Sequence, residues 1–425
     1  MVWIHGGGYG IGSAAAFDFS YMNKVFGNKF IFVTIQYRLG AFGFLSSETV
    51  FKHGVLNVGL HDQRLALTWV QDHIHKFGGD AAQVTIAGES AGAGSVIHAA
   101  IANGGSDGDS LWRRGIMSSP YLPAQWMYND SKPSEMYRKF AEIAGCLTSG
   151  MDLGETPDTS IFECLQNTDT VTLQAASAIT SQQTTYGQWG FAPVIDLTLI
   201  RDQAMHLLRK GQVNGEKMLV GHNANEGTYF TFGPLKFPFP ISLQPNFFVP
   251  QNITTEEQFV DFIRYYYRAL SNQDVATILS LYAPDSRISA KSPKFASNGL
   301  TPPFSTDVSN FAVGWQQVAN NLYAEAMFVC PAYWIADAYS SMLEINITSS
   351  RWAKLVPQLS WLYESVEQIH CERQSNSVTG GSRWTFESCK RRVLDEMGRT
   401  LPTGSLQMLI NWKVAGGKDA LCGVI

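Results

Sequence analysis

Strand-like and helix-like spacings alternate along the first 120 residues. Residues 1–4 and 30–37 are dense in β-branched and aromatic side chains with little polar alternation, the pattern of strands covered on both faces. Residues 62–77 place Leu65, Trp69, Val70, His73 and Phe77 at spacings of one, three and four, which predicts a helix. A short apolar strand is expected at 83–87; Gly88 breaks it, and 91–102 reads as a helix of small residues able to press closely on a sheet. Residues 114–117 supply a further strand. Strands alternating with helices imply an α/β fold, a mostly parallel sheet wrapped on both faces.

Further on, residues 130–190 are polar and helical in pattern, and strands are expected at 191–196 and 217–221. Residues 234–250, rich in Pro and Phe, read as an irregular loop, and their aromatics are candidates for a pocket lining. Helices follow at 255–270, 274–282, 307–323 and 333–342. No internal repeat is found. From residue 350 the chain carries 10 basic against 7 acidic side chains and shows little strand alternation, whereas the part before it carries a net charge of −8.

The whole chain has 425 residues and a net charge of −5, with 45% hydrophobic and 16% charged side chains, which describes a packed globule rather than a disordered or fibrous protein. The acidic balance and the lack of a long basic run argue against nucleic acid as a partner. No stretch approaches the roughly 20 apolar residues of a membrane span. Six cysteines allow 15 full connectivities; Cys146 with Cys164 is the one pairing expected, closing a short loop. Sequons at Asn129, Asn252 and Asn346 are usable only in a secreted chain, although the chain opens inside a strand and shows no signal peptide.

The sharpest chemical signal is Gly88-Glu89-Ser90-Ala91-Gly92, a G-x-S-x-G word set between a predicted strand and a predicted helix. A sharp turn there lifts the Ser90 hydroxyl above the sheet edge, and the helix that follows aims its unpaired N–H groups at an oxyanion. The alternative is a glycine-flanked turn with a surface serine. The second signal is His5-Gly6-Gly7-Gly8-Tyr9, where consecutive glycines let several N–H groups converge on one anion. A rival reading takes Gly10-Ile11-Gly12-Ser13-Ala14-Ala15 as a dinucleotide fingerprint. It needs an acid at the end of the next strand, where Tyr37-Arg38 stands instead.

The words WIHGGGY, YRLGAFGFL, NVGLHDQ, GESAG, GFAPVID and LVGHNANEGTYF occur in this order, with a weaker FVCPAYWIADAY at 328–339. Together they resemble the type-B carboxylesterase family, which includes cholinesterases and fungal lipases of α/β-hydrolase fold. The resemblance implies Ser90 as nucleophile, Glu226 as the acid that orients a histidine, and Gly7, Gly8 and Ala91 as backbone donors of an oxyanion hole. Glu89 matches the family's acid beside the serine. His370 is the only histidine after Glu226 and lies 40 residues past Cys330, so chain order assigns it the role of base. The family implies hydrolysis of a small-molecule or lipid ester with no metal or cofactor, secretion, and a non-catalytic binding protein or an inactive truncated product as the competing reading. It also implies a hydrolase domain over 1–349, a divergent segment over 350–425, and a family start about a hundred residues earlier, so the fold is expected to be incomplete at the N-terminus.

Overall fold

The computed structural model describes residues 1–147, 158–182, 190–223, 226–229, 253–267, 270–282, 284 and 312–340. These fall into two compact units that divide the described chain between Glu216 and Lys217.

The first unit is built on parallel strands. β1 (Val2–Ile4) leads through a glycine loop to α1 (Ser20–Val25), then β2 (Val33–Ile35) and the short helices α2 (Ala41–Phe44) and α3 (Glu48–His53). α4 (Val58–His73), β3 (Thr85–Glu89), α5 (Ala91–Ile101) and β4 (Arg114–Ser118) follow. The strands stand in the order β2-β1-β3-β4 and pair in parallel, with Ile4 opposite Ile35 on one side and Gly88 on the other. This is the wrapped parallel sheet the alternation predicts. Val2, Ile4, Ile86 and Ala87 are fully buried, as are Ala93, Val96, Ile97, Ala100 and Ile101 of α5. α6 (Ser131–Ile143), α7 (Asp158–Asn167), α8 (Thr170–Gln182) and α9 (Ala204–Arg209) complete the unit. A disulfide joins Cys146, just past α6, to Cys164 on α7 across 18 residues. A loop of that length restrains the unfolded chain by about 3 kcal/mol in the chain-entropy account.

The helix expected at 62–77 is present as α4, and one strand expectation is corrected. The side α4 buries is Leu60, Gln63, Leu67 and Val70, continued by Ile74 of the following turn. Leu65 (69% exposed), Trp69 (44%) and Phe77 (64%) face outward. Both sets satisfy helical spacing, so periodicity alone does not choose between them; outside, the Trp69 ring covers those of His73 and Phe77 at 5.3 and 5.9 Å. Residues 191–196 make only an isolated bridge, Met127 to Ile195. Their backbone is engaged by a side chain: Asn57 donates to Val194 O (2.8 Å) and accepts from Val194 N (2.9 Å), the positions a neighbouring strand would use.

That asparagine belongs to NVGLHDQ, and the segment it grips belongs to GFAPVID. The same helix reaches one more word, where Asp62 receives Arg38 in a fork (2.8 and 2.6 Å), and Gln63 donates to Ser95 of α5, three residues past GESAG (3.0 Å). The words that carry the resemblance are the ties between elements.

In the second unit β5 (Lys217–Gly221) runs to the one-turn α10 (Glu226–Tyr229). α11 (Glu256–Tyr266), α12 (Asn272–Tyr282), α13 (Gly314–Ala324) and α14 (Cys330–Ser340) follow. α10 packs on α13 and α14 on β5. α11 opens with a capping box between Thr255 and Gln258, the expected chemistry for a helix start. A π-helical turn (Glu325–Val329) links α13 to α14. No helix among the described residues is long and apolar enough to cross a membrane.

Replacing Asn57 by Ala removes three buried hydrogen bonds, to Val194 twice and to Asp196, and strands their partners. It is expected to lower unfolding free energy by about 3 kcal/mol or more, read as an earlier urea midpoint; an unchanged midpoint contradicts the account.

Candidate active site

β3 ends at Glu89 and α5 begins at Ala91, so Ser90 alone makes the turn. It does so at φ 54°, ψ −123°, a conformation L-residues rarely adopt and one that costs on the order of 1–3 kcal/mol. The turn is held from three sides. Ser90 N–H donates to Ser118 O at the end of β4 (3.0 Å), and Ser90 O accepts from Gly94 N (2.9 Å) and Tyr121 N (3.0 Å).

Missing side chains give the turn its room. A Cβ on Gly88 would meet the backbone of Gly92 and Ala93, and one on Gly92 would meet Ile4 O and His5 O. A Cβ on Gly6 would lie 2.7 Å from Glu89 O, 2.8 Å from a Glu89 carboxylate oxygen and 3.1 Å from Ser90 Cβ. The glycine loop therefore lies directly on the serine turn, and Glu89 lies beside it.

The loop is itself fixed. The His5 ring stacks on Tyr37 with centroids 4.5 Å apart; its Nδ1–H donates to Gly6 O (2.8 Å), and the Tyr37 hydroxyl donates to His5 O (2.8 Å). Burial lowers the His5 pKa against the pull of that hydrogen bond, which favours a neutral ring. Gly7 O accepts from Gly10 N and Ile11 N, and Tyr9 O accepts from Gly40 N. Gly7, Gly8 and Tyr9 all take positive φ (108°, 61° and 64°), which the first two do without strain. Among the described residues, no acceptor takes up the N–H groups of Gly7, Gly8 or Ala91. These are the donors expected for an oxyanion.

Behind the turn sits a group that sequence reasoning passed over. His98 lies on α5 two turns past Ser90, fully buried, its Nδ1–H donating to Gly94 O (2.8 Å). Its Nε2 faces the Gln125 amide at 3.4 Å, and Gln125 Oε1 accepts from Ala204 N (2.6 Å). Burial pushes the imidazole down to about 4, against the Gly94 hydrogen bond and the charge of Asp196. The available signal was the spacing Ser90, Gly94, His98, which stacks three residues along one face of a helix. Gly6 was missed too; five glycines in seven residues (Gly6, Gly7, Gly8, Gly10 and Gly12) marked the region but not which one makes the close approach.

Of the site residues expected from sequence, Gly7, Gly8, Ser90 and Ala91 lie together in the first unit, with Glu89. Glu226 lies in the second unit, on the turn following β5. It is 6% exposed, and its carboxylate accepts from Asn223 N–H (2.7 Å). Gly227 packs so closely on Asn320 of α13 that no Cβ fits there. His222, at the end of β5, is buried; its Nδ1 bonds to Asn223 O (3.0 Å), and its ring lies 6.2 Å from that of Tyr333. His370, the sequons at Asn252 and Asn346, the loop at 234–250 and the segment 350–425 lie outside the described residues.

Residues 1–347 match the family model described as "Carboxylesterase family". Similar proteins include "Lipase 2" of Geotrichum candidum, 35% identical over 318 residues, covering 72% of this chain and 52% of that one. "Acetylcholinesterase" of Danio rerio is 34% identical over 231 residues, 54% of this chain and 35% of that one. The crystal structure of Aspergillus niger EstA superposes with a TM-score of 0.59 at 27% identity, over 80% of this chain and 57% of that one. The chain spans about half the length of the lipase it matches. With that match, the parallel sheet wrapped by helices is an α/β-hydrolase fold.

The buried, neutral His98 gives a pH prediction. Its folded pKa lies below its unfolded value of about 6.5, so the unfolded chain binds the extra proton between pH 6.5 and 4. Stability is expected to fall by about 3 kcal/mol as pH drops through that window. His98→Gln should flatten that part of the profile in denaturant titrations at stepped pH; an identical slope in both proteins contradicts the assignment.

Proposed function

The chain belongs to the carboxylesterase family, and we propose that it is a serine hydrolase that cleaves carboxylic esters through an acyl-enzyme. The observation that carries this reading is the apposition of the Ser90 turn and the glycine loop, with three N–H groups left without an acceptor among the described residues.

In the proposed reaction a histidine, assigned to His370 by chain order, takes the Ser90 proton as Oγ attacks the ester carbonyl carbon. The carbonyl π electrons pass to oxygen, and the oxyanion accepts from Gly7, Gly8 and Ala91 N–H, each such donor contributing about 3 kcal/mol. When the tetrahedral intermediate collapses, the C–O bond to the alcohol breaks and the histidine returns its proton to that oxygen. Water then attacks the acyl-Ser90 ester by the same route, releasing the acid and restoring the hydroxyl. Glu226 keeps the imidazole in the tautomer that accepts from Ser90. The strained turn supports this assignment, because a serine with ordinary backbone angles would not project from between β3 and α5.

The hydrolase domain is assigned to residues 1–349, with 350–425 as a separate segment. Secretion is part of the reading, supported by the Cys146–Cys164 disulfide and by the exposure of Asn129 before α6. The substrate class is a small-molecule or lipid ester.

A fluorophosphonate probe tests nucleophile, base and oxyanion hole together. Peptide mapping is expected to place the adduct on Ser90, and Ser90→Ala should remove both the adduct and ester turnover while the protein stays folded. A folded wild-type chain that takes no adduct overturns the reading. Glu226→Gln is expected to lower turnover by about 10³–10⁴-fold; an unchanged rate sends the role to another acid.

A further inference from the structure

The first unit carries a second built feature, and none of its lining residues belongs to the serine turn or the glycine loop. It is a groove of about 540 Å³ between α4 and the turn at 197–201, lined by His61, Arg64, Asn103, Leu197, Leu199 and Arg201.

One wall is a rigid turn built on buried Asp196. Asp196 Oδ1 accepts from Thr198 N (2.8 Å), Thr198 Oγ1 (3.1 Å) and Ile200 N (2.9 Å), while Oδ2 accepts from Asn57 Nδ2 (2.7 Å). Leu197 N–H donates to Ile200 O (3.1 Å). So held, Leu197 takes φ 61°, an outlier for a bulky side chain, and stands 53% exposed at the mouth of the groove. Strain fixed by surrounding bonds at an exposed apolar residue invites a functional explanation.

The polar part of the wall presents two guanidiniums. Arg64 NH1 pairs with Asp107 (2.5 Å), which also accepts from Asn103 Nδ2 (3.0 Å). Arg201 is exposed, tethered only through Nε to Thr198 O (3.3 Å) among the described residues, and its charge also acts on Asp107. Arg64 and Arg201 both act on Asp107, and buried Asp196 already accepts four hydrogen bonds from neutral donors, which leaves the exposed guanidinium of Arg201 with open donors at the groove. A planar guanidinium with open donors suits a carboxylate or phosphate.

We infer that this groove binds an amphiphilic anion, its carboxylate or phosphate head against Arg201 and Arg64 and its hydrocarbon part against Leu197. The reading does not depend on the chemistry of Ser90.

The test is calorimetric titration of the purified chain with decanoate, inorganic phosphate and decanol. Decanoate is expected to bind more tightly than either of the others. Arg201→Gln should weaken it by about tenfold or more, the size of a lost charge-assisted pair. Leu197→Asn, which tolerates the same backbone, should bring decanoate to the level of phosphate without lowering the melting temperature. Decanoate affinity unchanged in both variants, or phosphate binding as tightly as decanoate, overturns the proposal. Sedimentation with phosphatidylglycerol vesicles separates the two sources of such a head. Pelleting that depends on Arg201 assigns it to a membrane lipid; decanoate binding without pelleting assigns it to a free amphiphile, and either result keeps the site.

Discussion

One backbone residue sets the terms for the first unit. Ser90 must leave a buried parallel strand and enter a buried helix within a single residue, and the only geometry that does so is left-handed and strained. Everything adjacent accommodates that. Gly88, Gly92 and Gly6 surrender their side chains so that three backbone segments converge on the turn, while the ends of β4 and its following loop bind its N–H and C=O. A turn held this way fixes the backbone of Ser90 and, among the described residues, leaves the first N–H of α5 unpaired. The glycine loop brings two more. Packing fixes this geometry: added side chains at Gly6, Gly88 or Gly92 would collide with the backbone around the turn.

The surrounding polar network serves the same end. Asn57, Asp62 and Gln63 leave one short stretch of chain for three destinations: the segment at 194–196, Arg38 and Ser95. Ser95 bonds the helix behind Ser90 to Gln63, and His98 Nε2 meets the Gln125 amide at 3.4 Å. Asp196 links this network to the turn that carries Leu197, so a single buried carboxylate contributes both to the scaffold and to the groove beside it.

Much of this could be read from the sequence. The alternation of strand and helix, the turn at Ser90 and the glycine loop follow from local signals, because β-branched runs, G-x-S-x-G and consecutive glycines each act within a few residues. The exposed face of α4 could not be read, since Leu60, Leu67 and Ile74 keep helical spacing as well as Leu65, Trp69 and Phe77 do. Nor could the fate of residues 191–196, whose strand-like pattern is overridden by one asparagine more than 130 positions away. The roles of Gly6 and His98 depend on close approach and burial, which a linear pattern does not encode. Glu226 was marked by resemblance; what the fold adds is its burial and the Asn223 N–H that fixes its carboxylate.

The central claim is that the fold, not the serine, imposes the strained turn, and glycine reports on this directly. Relieved of its Cβ, Ser90→Gly should adopt the turn without penalty, whereas Ser90→Ala keeps it. Equilibrium urea unfolding of the two variants is expected to show the glycine protein more stable by about 1 kcal/mol, the strain outweighing the extra entropy glycine loses on folding. At an ordinary turn or helix start the order reverses, so a glycine variant equal to or less stable than the alanine variant would contradict the account.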